Sequence, residues 1–182
     1  MKKQIIIGSV FAITAAVAAG STLAYFTAED TAENVISTGN IDIAVNEYKK
    51  GTESDVLEAY TPPTEPLMPG ETVSKIVKIE NTGSGSAYIR AKVSMYFKDN
   101  DTLSTEPVQL LLNTDDWTYN DDDGYYYYND ILDTSSETTP LFESFTLESS
   151  AGNDYENQTL IIDIDAQAIQ SKNNDGFHNE FS

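Results

Sequence analysis

The sequence predicts an all-β protein, an antiparallel jelly roll or β-sandwich preceded by a cleavable N-terminal signal helix. Three observations carry this reading. Two runs, residues 88–98 and 160–168, alternate apolar and polar side chains with the period of two that a half-buried strand requires. Clusters of Pro, Gly, Asn and Asp separate several short apolar runs. Beyond the leader, no stretch of helical length carries an apolar stripe at i, i+3, i+4 spacing.

The leader comes first. Lys2 and Lys3 are followed by the apolar run 5–19 and then by Gly20-Ser21-Thr22-Leu23-Ala24. A basic start, an apolar middle and small residues before a cut describe an export signal. Cleavage after Ala24 would leave Tyr25 as the mature N-terminus. The rival reading is an uncleaved anchor, since about 20 residues just span a bilayer, but the Ala, Gly, Ser and Thr content is weakly apolar for a permanent span. Export to the extracellular matrix or cell surface is therefore expected, with membrane contact only through an uncleaved signal. Residues 1–24 form the signal peptide, 25–36 an N-terminal strand segment, 37–171 the sandwich domain and 172–182 a polar tail.

Strands follow in order. Residues 41–45 alternate Ile, Asp, Ile, Ala and Val. Residues 49–68, with two charge clusters, read as an extended connection crossing between sheets. Residues 73–80 are β-branched and apolar without clean alternation, as in a strand covered on both faces. Asn81-Thr82-Gly83-Ser84-Gly85 is a turn. Then come the long strand 88–98, with Ile89, Ala91, Val93, Met95 and Phe97 inward, a surface loop at 132–140, and a short strand at 145–147. The final run places Leu160, Ile162, Ile164, Ala166 and Ala168 inward. The tail shows no LPxTG-like motif and no second apolar span, so wall attachment is not expected.

Composition excludes several function classes. The chain of 182 residues has 30 acidic and 10 basic residues, a net charge of −20 and no cysteine. Removing the two leader lysines takes −20 to −22 on the 158 residues that remain. Nucleic acid is excluded as a partner because phosphate neutralisation needs clustered Lys and Arg. Without cysteine there are no disulfides, thiolate metal sites or thiol nucleophiles.

Catalytic constellations are absent from the sequence. His178 is the single histidine, no HExxH is present, and no GxSxG elbow precedes a helix. Paired acids drawn from 30 carboxylates have no specificity. No enzyme activity, catalytic residue or cofactor is expected. The segment 115–130 is rich in Asp and Tyr. Hard cations bind several oxygens, so Asp121, Asp122 and Asp123 are a weak Ca²⁺ candidate, but EF-hand spacing would put Tyr119 at the first ligand position. A β-hairpin turning at Asp122-Asp123-Gly124 is the favoured reading. Tyr125, Tyr126, Tyr127 and Tyr128 then place two rings on each face, so at least two should be exposed for contact with another chain or a polymer. Arg90, the only arginine, shares a strand face with Lys92 and Lys98. Asp163 and Asp165 would complement that face if the two long strands pair, or the basic strip would meet a neighbouring subunit.

Four stretches carry a resemblance that spans nearly the whole chain. They are the leader joined to Ala24-Tyr25-Phe26-Thr27; residues 34–43, NVISTGNIDI; Leu67-Met68-Pro69-Gly70-Glu71 running into Ile79-Glu80-Asn81-Thr82-Gly83 and Ala87-Tyr88-Ile89-Arg90; and the late strand 160–168. Their order resembles the TasA/camelysin family, exported by a dedicated signal peptidase in Gram-positive spore formers. The resemblance implies a jelly roll that polymerises into biofilm-matrix filaments, with itself and with other matrix proteins of the family as partners. It also implies that the segment after the signal adds a strand to the next subunit. Carried onto this chain, the donor is residues 25–36, with Tyr25, Phe26, Val35 and Ile36 as its apolar side chains. Camelysin itself is described as a metalloprotease. A surface protease and a monomeric adhesion module are the alternatives.

Overall fold

The computed structural model of the chain describes residues 27–31, 35–36, 41–53, 56–172 and 174. The expected signal helix, Ala24, Tyr25, Phe26 and His178 lie outside them. In chain order the strands are β1 (Thr27–Thr31), β2 (Val35–Ile36), β3 (Ile43–Lys50), β4 (Leu57–Ala59), β5 (Thr72–Asn81), β6 (Ala87–Phe97), β7 (Val108–Leu112), β8 (Trp117–Asn120), β9 (Tyr125–Tyr128), β10 (Phe142–Leu147) and β11 (Thr159–Gln170). They form two sheets. The first has the order β1-β11-β6-β9-β8, with β2 also on β11; the second has the order β4-β3-β5-β10-β7. The result is the predicted all-β sandwich, antiparallel except for β1 and β2, which run parallel to β11.

The two alternating runs become the backbone of the first sheet. β6 and β11 pair antiparallel from Leu160 opposite Phe97 to Gln170 opposite Ala87. Matching periods put Ile89, Ala91 and Phe97 beside Leu160, Ile162, Ile164, Ala166 and Ala168 on one buried face. That face packs into one core with Ile43, Val77, Ile79, Phe142, Phe145 and Leu147 of the second sheet. Each buried Val, Leu, Ile or Phe among them contributes about 1.5–3 kcal/mol by leaving water. Phe142 and Phe145 are three residues apart, a spacing that would turn one outward in a regular strand. The register shift within β10 lets both face the core.

Three expectations are corrected. Residues 49–68 do not simply cross between sheets, because 57–59 fold back as β4 along β3 in the same sheet. The 132–140 loop is not wholly on the surface: Leu132 and Thr138 are buried. Leu132 bridges Ala87 of the first sheet and Glu137 bridges Glu80 of the second, so the loop ties the sheets together. β5 is covered on both faces only over Lys75, Ile76 and Val77. The 81–85 turn forms as expected, around a fully buried Asn81. Its side chain donates to the carbonyls of Gly85 (2.8 Å) and Leu132 (3.0 Å) and accepts from the Gly83 amide (3.0 Å).

Candidate functional site

The N-terminal segment and the edge it covers form the first candidate site. β1 lies along β11 from Thr27 opposite Thr159 to Thr31 opposite Asp163, and β2 resumes with Val35 opposite Ala166 and Ile36 opposite Gln167. Among the described residues, each of these strands pairs with β11 and no other strand. Within one chain, the proposed donor segment therefore closes its own sheet along the edge of the last strand.

The second candidate is the Arg90 face. Pairing of β6 with β11 occurs as expected, and it sets Lys92 opposite Asp165, but Asp163 lies opposite Ser94 and Arg90 opposite Gln167. Arg90 Nε and Nη2 both donate to Gln167 Oε1, at 3.0 and 2.7 Å. Its Nη1 donates to Asp123 Oδ2 (3.2 Å) and to the Tyr127 hydroxyl (3.1 Å). The guanidinium carbon sits 4.1 Å from the Tyr125 ring centroid, in cation–π contact. Asp123 is thus a carboxylate that Arg90 pairs with. Tyr127 donates to that same carboxylate at 2.5 Å. Burial alone would raise the Asp123 carboxyl; the Tyr127 and Tyr125 hydrogen bonds and the Arg90 charge outweigh it and hold it below the usual range.

The hairpin reading of 115–130 holds, with β8 and β9 paired and Gly124 at φ +75° in the turn. Two tyrosines do lie on each face, but the expected exposed rings are not found. Tyr127 and Tyr128 are buried, and Tyr125 and Tyr126 half-buried. The physical reason is that each pair has a cover. Arg90 lies over Tyr125, whose hydroxyl donates to Asp165 at 3.0 Å. Trp117 and Tyr119 pack on Tyr128 and Tyr126, at centroid distances of 5.1 and 4.8 Å. The exposed ring of this hairpin is Tyr119. Of the three aspartates proposed for Ca²⁺, Asp123 is turned inward onto Arg90 and Tyr127, while Asp121 and Asp122 sit exposed on the turn.

Two polar clusters escaped the sequence reading. On the outer face of the second sheet, Glu137 accepts from Tyr48 (2.5 Å) and Asn46 (2.8 Å), with Lys78 at 3.5 Å, and Asn46 also donates to Glu80 (2.9 Å). The hydrogen bond to Glu137, then burial, pushes the Tyr48 phenol up to about 12. A phenol in an unfolded chain titrates near 10, so this bond stabilises the fold fully below pH 10 and fades as pH rises toward 12. Melting wild type and Tyr48→Phe side by side from pH 8 to 12 should show a gap that narrows above pH 10. A gap that stays constant would refute the assignment. The other cluster is inside the sandwich, where Lys75 Nζ donates to Glu47 at 2.6 Å and lies 4.2 Å from the Tyr60 ring centroid.

Fold and site together define a two-sheet β-sandwich whose N-terminal strand completes the edge made by its last strand. Residues 1–106 match the family described as camelysin metallo-endopeptidase, and the chain belongs to that family. No curated protein matches the chain, and no solved structure does. The family's name implies a metal. Among the described residues, no three His, Cys, Asp or Glu side chains converge on one point, whereas a catalytic zinc takes three protein ligands. The Glu80 and Glu137 carboxylates are held instead by Asn46, Tyr48 and Lys78. This donor set does not fit the ion.

Proposed function

We propose that the chain is an exported structural subunit of an extracellular matrix, which polymerises when its mature N-terminal segment, residues 25–36, leaves its own β11 and pairs with β11 of the next subunit. One observation chiefly supports this: β1 and β2 of the segment lie at a sheet edge and, among the described residues, pair with β11 alone. Strand addition to an open edge supplies main-chain hydrogen bonds wherever the same edge is presented. Exchange between identical chains is low in cost, because the contacts broken in one are remade in the other. A head-to-tail contact whose rotation does not close yields open filaments. Family membership agrees with the reading at a coarser level.

Electron microscopy of protein beginning at Tyr25 tests it, beside the same protein lacking residues 25–36. Filaments are expected from the first and none from the second. The trimmed protein should remain folded by circular dichroism and should bind a synthetic peptide of residues 25–36. Filaments from the trimmed protein, or a folded trimmed protein that ignores the peptide, would overturn the proposal. Chelator-sensitive release of peptides from casein would favour the protease reading instead.

A further inference from the structure

Four strand edges bound the two sheets: β1 with β2, β8, β4 and β7. Three of them carry or adjoin acid. β1 contains Glu29 and Asp30, β4 contains Glu58, and β8 is flanked by Asp116 and Asp121. β7 differs. Its sequence is Val-Gln-Leu-Leu-Leu, with no charge and no proline over five residues, and its immediate neighbours, Pro107 and Asn113, carry no charge either. It pairs with β10 on one side, and among the described residues no strand lies on the other. Leu111, on this edge, is 60% exposed. Soluble proteins ordinarily blunt such an edge with charge, proline or a bulge. On a chain with 30 acids and 10 bases, an uncharged edge is also where a second copy meets least repulsion.

We infer that β7 is a self-association edge, at which two copies of this chain pair antiparallel about Leu110. That register keeps the carboxylates apart. Val108 then faces Leu112 of the other copy and Gln109 faces Leu111, so the exposed leucine gains cover. Beyond the strand, Glu106 faces Thr114 and Asp115 faces Thr105, so that no carboxylate directly opposes another. The contact is isologous and closes at two copies. A strand pair of this length buries several hundred Å², well under the roughly 1,200 Å² of a stable interface. Single subunits therefore stay apart, whereas a filament presenting β7 at every repeat adds many weak contacts in parallel. The inference rests on the filament reading above and adds lateral bundling to it. Salt should gate it, because the Debye length falls from about 30 Å at 0.01 M to about 8 Å at 0.15 M.

The test uses protein beginning at Tyr25, imaged by electron microscopy at 0.01 and 0.15 M NaCl, with Leu111→Glu, Gln109→Glu and the control Met68→Glu. All three positions are exposed, so each variant should fold. Wild type and Met68→Glu should give single filaments at low salt and bundles at 0.15 M. Leu111→Glu and Gln109→Glu should give filaments of normal length with at least five-fold fewer bundles. Wild-type filaments that stay single at 0.15 M, or edge variants that bundle like wild type, would overturn the inference and leave the filament reading standing. Absence of filaments from every sample would overturn both.

Discussion

Replacing Lys75 by alanine should cost about 3–5 kcal/mol, because it strands the Glu47 carboxylate in the interior. Lys75 is 2% exposed and the Glu47 side chain 8%. Water cannot take over the role of the ammonium there, and the face of Tyr60, now 4.2 Å from that ammonium, loses its cation. A chain of this size loses about 2–4 °C in Tm per kcal/mol, so the melting temperature should fall by about 6–20 °C. Replacing both partners, as Glu47→Leu with Lys75→Met, should restore most of it, since an apolar pair of similar volume needs no desolvated charge. Thermal denaturation of the two single variants and the double variant checks this. A double variant as unstable as Lys75→Ala would show that the pair is not the source of the loss.

The second large effect is expected at Arg90. Its guanidinium holds Gln167 of β11, Asp123 of the hairpin turn and Tyr127 of β9 together. Arg90→Ala should cost about 3 kcal/mol, since hydrogen bonds to a charged group are worth about 1.5–3 kcal/mol each and are not additive. Arg90→Lys should recover little, because a point charge cannot span the fork that reaches Gln167 and Asp123 at once. Arg90→Glu should be worse than alanine, since it sets a carboxylate against Asp123. By contrast, Lys92 is exposed, and its reversal should change Tm by a few degrees at most. Equal effects at the two positions would contradict a role confined to the Arg90 cluster.

Much of the sandwich was legible because its two longest strands alternate without interruption, and a period of two has one physical reading. The turn at Asn81 and the hairpin at Gly124 were legible for a similar reason, since few residue types suit those backbones. What remained hidden was mostly polar. Lys75 has the same parity as Val73, Val77 and Ile79, and Glu47 the same as Ile43 and Val45, so the alternation did place both inward. A lysine and a glutamate are read as solvated by default, and only the diagonal approach of β3 and β5 shows that they neutralise each other. Asp165 does lie opposite Lys92 on the shared face, whereas Arg90 itself pairs with Asp123. Its register partner is Gln167, and the hairpin curls Asp123 back over the sheet, which spacing along the chain cannot convey. Arg90, Trp117 and Tyr119 likewise cover tyrosine rings that alternation alone would have exposed.

The order of strands in the first sheet also governs when that sheet can exist. β6 lies between β9 and β11, both later in the chain, and Thr27 must wait for Thr159. Contacts so distant in sequence form slowly, because the loop must close before any of them is gained. A chain emerging N-terminus first, from a ribosome or through a membrane pore, therefore holds β1, β2 and β6 without their main partner until residues 159–170 have followed. Its last strand is the keystone, and the sheet stays open until that strand arrives.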